Sequence, residues 1–518
     1  MKYIYDQFFQ SERHDEQFKQ SVLDRAIQQM ALMMECMTLR DKRQYVLPIV
    51  LECMKDEDDD ERRLVGVMLV DELAPSLGAE ICREHIMYDF ISLQDDPIFK
   101  IRREVALRLM KISRVLGEQI FNGVMIPVYK KLSQDSIWSV RKACVEMLPE
   151  ISRISSKQMK KGQILQLFKR FSQDQSKWVK MATFQNFGPF IFSYESLEQN
   201  EVLLNYYLNF GRSADKGADG SVVQIAQVDN DTAYYCAYNF PAVLRTVGAD
   251  HWYGKLKLLH DQMVRDMRWK VRRSLSYSMH ECARILGPAI TESDLMPVLF
   301  HFLQDIADVA AGVLENLPQI LQVLSQEQRD KYIELFVQAQ NKVEKANKSQ
   351  WRQREQFAIQ ISELCALISA DKLNQFYVPK FYDLCLDDVA TVRETTATMA
   401  TASIVKNFLS SNNLFFLDNF INEMTFFQSS RTFTHRQTFI CMIKSLILDF
   451  CSIDTKEKVA PGSDLNLIDS IVIKYFEKGL LDLSQDKVVN VRISLADCFY
   501  SVQVRMEELD QEAQRLEK

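Results

Sequence analysis

A short pattern recurs along this chain at a nearly constant interval. Each copy has an Asp, then an apolar or aromatic residue, then a β-branched residue beside a cation, and then an apolar run with helical spacing. The cations Arg102, Arg141 and Lys180 stand 39 residues apart. A fixed period of this size is typical of stacked helical repeats, in which each unit buries its apolar face against its neighbours. The chain is therefore expected to fold as an array of helix pairs.

The pattern returns through the second half of the chain, after one longer interval. It begins again at Trp269-Lys270-Val271-Arg272, 92 residues after Lys180, and then appears near Trp351, Arg393, Arg436 and Arg492. Two periods of 39 make 78 of these 92 residues and leave 14 for an insertion. We predict a flexible insertion at 211–232, which is rich in Gly, Asp and Ser, and a loop at 454–464.

The composition favours an all-α fold. Gly (15) and Pro (12) are scarce among the 518 residues, good helix formers fill the long segments, and no sustained strand-like alternation occurs. No apolar stretch approaches the roughly 18 residues of a membrane helix, and the N-terminus lacks a signal-peptide core. We predict a single α-solenoid over 1–518 in a protein of the cytoplasm, and also of the nucleus, with no membrane partner.

Charge and motif content argue against several classes of function. The net charge of −7 does not suit a general nucleic-acid binder. The eleven cysteines are scattered without a CxxC pair, which indicates buried reduced thiols and no zinc site. His280-Glu281 resembles the start of a metalloprotease helix, but Arg284 stands where the second ligand would be, and no phosphate-binding loop occurs. We predict a non-enzymatic protein with no cofactor and no metal.

The residue types of the repeat indicate how neighbouring turns are held. The Asp stands just before a helix, where its carboxylate can accept hydrogen bonds from free backbone N–H groups. The Val of each Val-Arg pair is expected in the core, and the cation beside it can reach the Asp of its own or an adjacent repeat. A row of such pairs would form a ladder along one edge. Val309-Ala310 replaces the Val-Arg pair in one repeat, so one pair is expected to be missing there.

Four tryptophans stand at the turn or the first helical residue of their repeats. They are Trp138, Trp178, Trp269 and Trp351. Their pattern leaves two readings open, because Trp fills helical cores and also dominates protein interfaces when it is exposed beside Arg.

The repeat pattern DxxxxVRxxA is that of HEAT repeats, and its density resembles the scaffold subunit of type 2A protein phosphatases. Two segments resemble regulatory subunit 1 of protein phosphatase 4 more specifically. They are CAYNFPAVLRTVGADHW with RWKVRRSLSYSMHECARILG, from Cys236 to Gly287, and KWVKMATFQNFGPFI, from Lys177 to Ile191. The resemblance spans roughly Arg62 to Ser501.

This resemblance implies a non-catalytic subunit that binds a metal-dependent Ser/Thr phosphatase catalytic subunit of the phosphatase 4 or 2A type. A further regulatory subunit or a phosphoprotein substrate is also implied as a partner. In the related scaffold, the turns within the helix pairs form a ridge whose C-terminal part holds the catalytic subunit. SQWRQRE resembles such a turn. In the following turn, Ala390 stands where the resemblance would lead us to expect an aromatic residue. The partner-binding candidates are therefore Trp351, Arg352, Asp387, Asp388, Arg393, Trp138, Arg141, Trp178, Lys180, Trp269 and Arg272.

Three alternative functions are compatible with a helical array of this kind to different degrees. A type 2A scaffold subunit is the nearest, but that role uses about fifteen regular repeats, and this chain has room for about twelve or thirteen. A HEAT-repeat nuclear-transport carrier would need more repeats and an acidic inner surface, whereas the charge in each repeat is balanced. A metal-dependent enzyme is disfavoured by the missing ligand sets.

Overall fold

The computed structural model describes residues 16–194, 197–211, 230–346, 350–450 and 476–516, and every regular element in these ranges is helical. The predicted insertion at 211–232 lies outside the described residues except at its two ends, and the predicted loop at 454–464 lies entirely outside them. The main chain packs into two compact units, Met1–Met263 and Val264–Lys518. The single array over 1–518 stays a prediction.

The first unit is a succession of antiparallel helix pairs. Its α-helices are α1 Glu16–Glu35, α2 Leu39–Asp41, α3 Leu47–Met54, α4 Asp60–Ile81, α5 Met87–Ser92, α6 Phe99–Leu116, α7 Glu118–Ile120, α8 Ile126–Leu132, α9 Trp138–Ile154, α10 Lys157–Met159, α11 Leu165–Ser172, α12 Lys177–Gln185, α13 Phe187–Phe192, α14 Leu197–Gly211, α15 Asn230–Val247 and α16 Lys257–Val264.

The second unit repeats the same plan. Its α-helices are α17 Trp269–Tyr277, α18 Met279–Ile290, α19 Met296–Leu303, α20 Ala307–Glu315, α21 Leu317–Val323, α22 Gln326–Ala346, α23 Trp351–Cys365, α24 Ala370–Lys372, α25 Val378–Cys385, α26 Ala390–Ser410, α27 Leu414–Gln428, α28 Phe433–Phe450, α29 Glu477–Ser484 and α30 Val489–Leu516.

The first helix of most pairs contains one wider, π-helical turn. In four of them a proline follows two residues after that turn, and because proline has no N–H it removes an α-helical hydrogen bond there. The π turns are Lys42–Val46, Cys82–Ile86, Phe121–Met125, Lys160–Ile164, Trp252–Leu256, Thr291–Leu295 and Leu373–Tyr377, and two 3₁₀ turns lie at Leu93–Asp95 and Ala249–His251.

The second helix of most pairs begins three residues before the position of the repeat's cation. We call these the ridge helices; they are α4, α6, α9, α12, α17, α20, α23, α26, α28 and α30. Where the residue before a cation at this position is a valine, it is buried, as the sequence predicted, because it points between the helix layers. Those valines are at most 1% exposed and are Val140, Val179, Val271, Val392 and Val491.

The cysteines follow the prediction of buried thiols in most cases. Of the ten in the described residues, Cys36 is exposed, Cys441 is half-buried and the other eight are buried, and all ten are unpaired. Burial raises the pKa of Cys82 to about 11 and that of Cys282 to about 12. These thiols therefore remain protonated at neutral pH and act as small apolar core residues. Among the described helices, none is long and apolar enough to cross a membrane.

Candidate partner-binding ridge

Arginines and aspartates of successive turns form bidentate ion pairs. Arg102, for example, donates from Nε and Nη2 to the two carboxylate oxygens of Asp135, at 2.7 and 3.0 Å. We call each such pair a rung, and the partners in five of the six are 33 residues apart. The six rungs in the described residues are Arg63–Asp96, Arg102–Asp135, Arg141–Asp174, Arg272–Asp305, Arg354–Asp387 and Arg436–Asp486.

Each rung also fixes the backbone of the turns that it joins. Arg141 uses Nη1 to donate to the carbonyls of Asp135 and Ser136, at 2.8 and 3.1 Å, in the turn before its own helix. Asp174 accepts the N–H of Ser176 at 2.8 Å while it holds Arg141. One arginine therefore links its own turn to the next, which confirms the predicted ladder and assigns the cation to the Asp of the adjacent repeat.

Five rung carboxylates have a pKa below its usual value; they are Asp135, Asp174, Asp305, Asp387 and Asp486. The hydrogen bond from Arg272 is the main reason that the pKa of Asp305 lies below its usual value. At Asp174, burial alone would raise the pKa, but the hydrogen bonds from Arg141 and from the Ser176 N–H outweigh burial and lower it. Both members of a rung are mostly buried, with side-chain exposures of 15% for Arg141 and 8% for Asp174. Such pairs are screened less by salt than surface ion pairs.

We expect the rungs to make stability depend on acid pH. A carboxylate whose pKa is lower in the folded chain than its usual value of 3.8 stabilises the fold fully above that value, and this stabilisation is lost as pH falls through the folded pKa. The free-energy difference between the wild type and Asp305→Asn should be constant from about pH 7 to pH 5 and shrink below about pH 4. Urea unfolding at several pH values measures it. A difference that grows towards low pH would contradict this role for Asp305.

Four ridge helices lack a described rung, and for the last of them, α30, no following turn lies in the described residues. Ala310 stands at the cation position of α20, as the sequence predicted. Arg393 of α26 donates to the carbonyls of Asp387 and Asp388, but it has no carboxylate partner among the described residues. The following turn carries Ser430 there. Lys180 of α12 is half-buried, and the turn that follows it in the chain lies outside the described residues.

The rung of α23 is made by Arg354 and not by Arg352. Arg354 donates to Asp387 at 2.6 and 3.1 Å, whereas Arg352 is exposed and lies 4.7 Å from the centre of the Trp351 ring. Arg354 was not identified from the sequence, although its 33-residue separation from Asp387 equals that of four of the other pairs. Arg352 therefore belongs to no rung, whereas the carboxylate of Asp387 forms the rung with Arg354.

The ridge tryptophans lie at the surface. Trp138, Trp178 and Trp269 are 43%, 54% and 41% exposed, and Trp351 is half-buried. Trp138 and Trp178 stack with ring centres 6.2 Å apart, so they form one aromatic surface on adjacent turns of the first unit. Of the two readings left open, partial exposure favours a contact surface over a core role for the first three.

Other aromatic residues occupy the same position and were not singled out from the sequence. Phe99 and Phe433 begin α6 and α28, three residues before Arg102 and Arg436, and each is 38% exposed. The signal was available, because each stands where Trp138 and Trp269 stand relative to their rung arginines. We define the turn ridge of the first unit as Phe99, Trp138 and Trp178, and that of the second unit as Trp269, Trp351 and Phe433.

The remaining candidates divide between the ladder and the surface. Arg141, Arg272 and Asp387 are rung residues whose side chains are 10–17% exposed, so they stabilise the ridge more than they offer a contact. Asp388 is exposed beside them, and its backbone carbonyl accepts from Arg393 at 3.0 Å. At the turn of Trp351 and Arg352, an exposed cation therefore lies beside an aromatic ring, and neither residue belongs to a rung.

Comparison with known proteins shows which proteins part of the chain is similar to. Residues 236–339 match the family model of the protein phosphatase 4 regulatory subunit 1 middle domain. The human and mouse proteins named serine/threonine-protein phosphatase 4 regulatory subunit 1 are each 32% identical to this chain over 297 residues, which is 57% of the chain. That match covers 28% of the length of each relative. The resemblance drawn from the sequence is confirmed.

The fold is shared with importin beta. The crystal structure of importin beta matches 89% of this chain and 57% of its own length, with a TM-score of 0.56 and 10% sequence identity. At this identity the likeness shows the fold alone. It confirms the all-α solenoid of HEAT-type helix pairs.

Proposed function

We propose that this chain, similar over more than half its length to protein phosphatase 4 regulatory subunit 1, is a non-catalytic regulatory or scaffold subunit of a phosphatase 4-like Ser/Thr phosphatase complex. It binds the catalytic subunit and directs its activity and substrate access. The observation that carries the proposal is the family match over 236–339, which includes Trp269 and the rung residue Arg272. The relatives are named regulatory subunits, which supports a non-catalytic role.

The turn ridge of the second unit is the proposed contact surface. Its rungs hold the turns in place before a partner arrives, so binding does not have to order the backbone, and less free energy is lost on association. The exposed rings supply apolar area, and Arg352 supplies a planar cation with several donors beside Trp351. Residues of this kind contribute most of the binding energy in protein interfaces.

A pull-down with mass spectrometry tests the function. Tagged full chain is recovered from a lysate of its own source, and the retained proteins are identified and quantified. A stoichiometric phosphatase 4-type catalytic subunit is the expected result. A type 2A catalytic subunit alone would make the chain a divergent 2A scaffold, and transport cargo with a small GTPase and no phosphatase would contradict the proposal.

Purified components then separate direct from indirect binding. The chain is titrated with isolated phosphatase 4-type and 2A-type catalytic subunits, and the affinity and phosphatase activity are measured in parallel. We also propose a location in the cytoplasm and in the nucleus, which imaging of the tagged chain tests. Exclusion from both compartments would contradict the proposed location.

A further inference from the structure

A pocket lies between the ridge helices α20 and α23 of the second unit. Its cavity volume is about 50 Å³, and it is open to solvent on one side. Ala311, Leu314 and Phe357 form apolar walls, and four glutamines surround them. The full lining is Ala311, Leu314, Glu315, Gln340, Gln353, Gln356, Phe357 and Gln360.

The pocket lies where the ladder has a gap. Other successive ridge helices of this unit, such as α17 with α20 and α23 with α26, pack closely along their length. In the described residues, α20 and α23 lack this close packing, and α23 contacts α21 instead. Ala310 stands at the rung position, and the small residue Ala311, which lines the pocket, follows it. A missing rung and a small side chain therefore leave space that the other repeats fill.

Gln360 keeps the two helices together at the base of the gap. Its Nε2 donates to the backbone carbonyls of Leu314 and Glu315, at 2.8 and 2.7 Å, and its side chain is buried. The carbonyls at the kinked end of α20 thus have a partner. The gap is therefore a defined pocket with its own hydrogen-bonded floor.

Gln340 brings an unsatisfied carboxamide into this pocket. The residue is 4% exposed, and neither its Nε2 nor its Oε1 has a hydrogen-bond partner among the described residues. A buried amide without partners is unfavourable, and most buried polar groups in folded proteins are paired. Its donor and acceptor lie side by side, so the group that satisfies both must itself present one acceptor and one donor. A second carboxamide has this arrangement.

We propose that the pocket binds the side chain of a glutamine from a partner protein. The apolar walls of Leu314 and Phe357 would pack against its methylene groups, and its carboxamide would exchange two hydrogen bonds with that of Gln340. No cation lines the pocket, and the exposed carboxylate of Glu315 is held there by the Tyr277 hydroxyl at 3.1 Å. An anionic side chain of similar shape, such as glutamate, is therefore disfavoured. This inference holds whether or not the partner is a phosphatase.

Ligand-observed NMR with small amino-acid amides tests the pocket in the full chain. The probe is N-acetylglutamine methylamide, compared with the norvaline analogue, which lacks the carboxamide, and with the glutamate analogue, which is charged. We expect the glutamine probe to bind at least about tenfold more tightly than either analogue. We also expect Gln340→Leu to weaken its binding by at least about tenfold. The exposed Gln338 on the same helix gives a matched control, Gln338→Leu, which should bind the probe as the wild type does.

Thermal unfolding shows whether the variant is intact. Because Gln340→Leu removes an unsatisfied polar group, its melting temperature should equal or exceed that of the wild type. Equal binding of the glutamine and norvaline probes would assign binding to the main-chain amides and overturn the proposal. Failure of the glutamine probe to bind the wild type, or equal binding to Gln340→Leu, would leave water as the partner of Gln340 and would also overturn it.

Discussion

Replacing Asp174 by alanine is expected to lower the free energy of unfolding by about 2–3 kcal/mol, because it leaves a mostly buried Arg141 without a carboxylate. The N–H of Ser176 loses its acceptor in the same turn. Urea unfolding followed by circular dichroism measures the change, and hydrogen exchange at 173–180 locates it. Helix content before unfolding should not change.

An exposed ion pair on the same ridge helix provides the control. Lys142 and Glu146 of α9 are 39% and 35% exposed and form an i,i+4 pair, so Glu146→Ala should cost less than about 0.5 kcal/mol. The combined variant Arg141→Met with Asp174→Leu should lose less than Asp174→Ala, because no unpaired charge stays buried. Equal losses for Asp174→Ala and Glu146→Ala would show that the rungs do not hold the turns.

Replacing Trp351 and Arg352 together by alanine is expected to weaken catalytic-subunit binding by about 2 kcal/mol or more, which is about 30-fold. The ring and the guanidinium of this turn lie 4.7 Å apart at the surface, and the rung arginine of this helix, Arg354, is untouched. Binding to the purified catalytic subunit measures the effect, and helix content should barely change.

An exposed aromatic away from the turns serves as the matched control. Phe415 is 70% exposed at the start of α27, which is the first helix of its pair, and Phe415→Ala should leave the affinity unchanged. Trp138→Ala with Trp178→Ala tests the turn ridge of the first unit in the same assay. Normal binding by the Trp351/Arg352 variant would show that the site assignment is wrong, even though the family resemblance stands.

The ladder could be predicted from the sequence because its determinants are local and periodic. Asp135 and Arg141 recur at fixed positions in each repeat, so their spacing alone indicates a turn followed by a helix. The buried Val140 follows from the same periodicity, since it lies on the helix face that points towards the next layer. The sequence analysis left open which Asp each cation reaches, because its own and the adjacent one are both near in such an array.

The identity of the rung arginine at the SQWRQRE turn required the structure. Two arginines, Arg352 and Arg354, stand two residues apart, and a helix turns them to different sides. The position of the helix start at Trp351 places Arg354 towards Asp387 and leaves Arg352 in solvent. From the sequence, the repeat pattern runs through Arg352, and a two-residue uncertainty in a helix start is enough to exchange the two roles.

By itself the sequence determined the helical repeat, the predicted ladder and the resemblance to a phosphatase regulatory subunit, because all three depend on short, local sequence patterns. Only the tertiary structure decided how far Trp138 and Trp269 are exposed and where Gln340 lies. Exposure depends on which side chains of neighbouring helices cover a residue, and a pocket depends on what adjacent repeats fail to fill. The exposure of a residue and the presence of a pocket both depend on contacts between residues far apart in the chain, so no local sequence pattern predicts them.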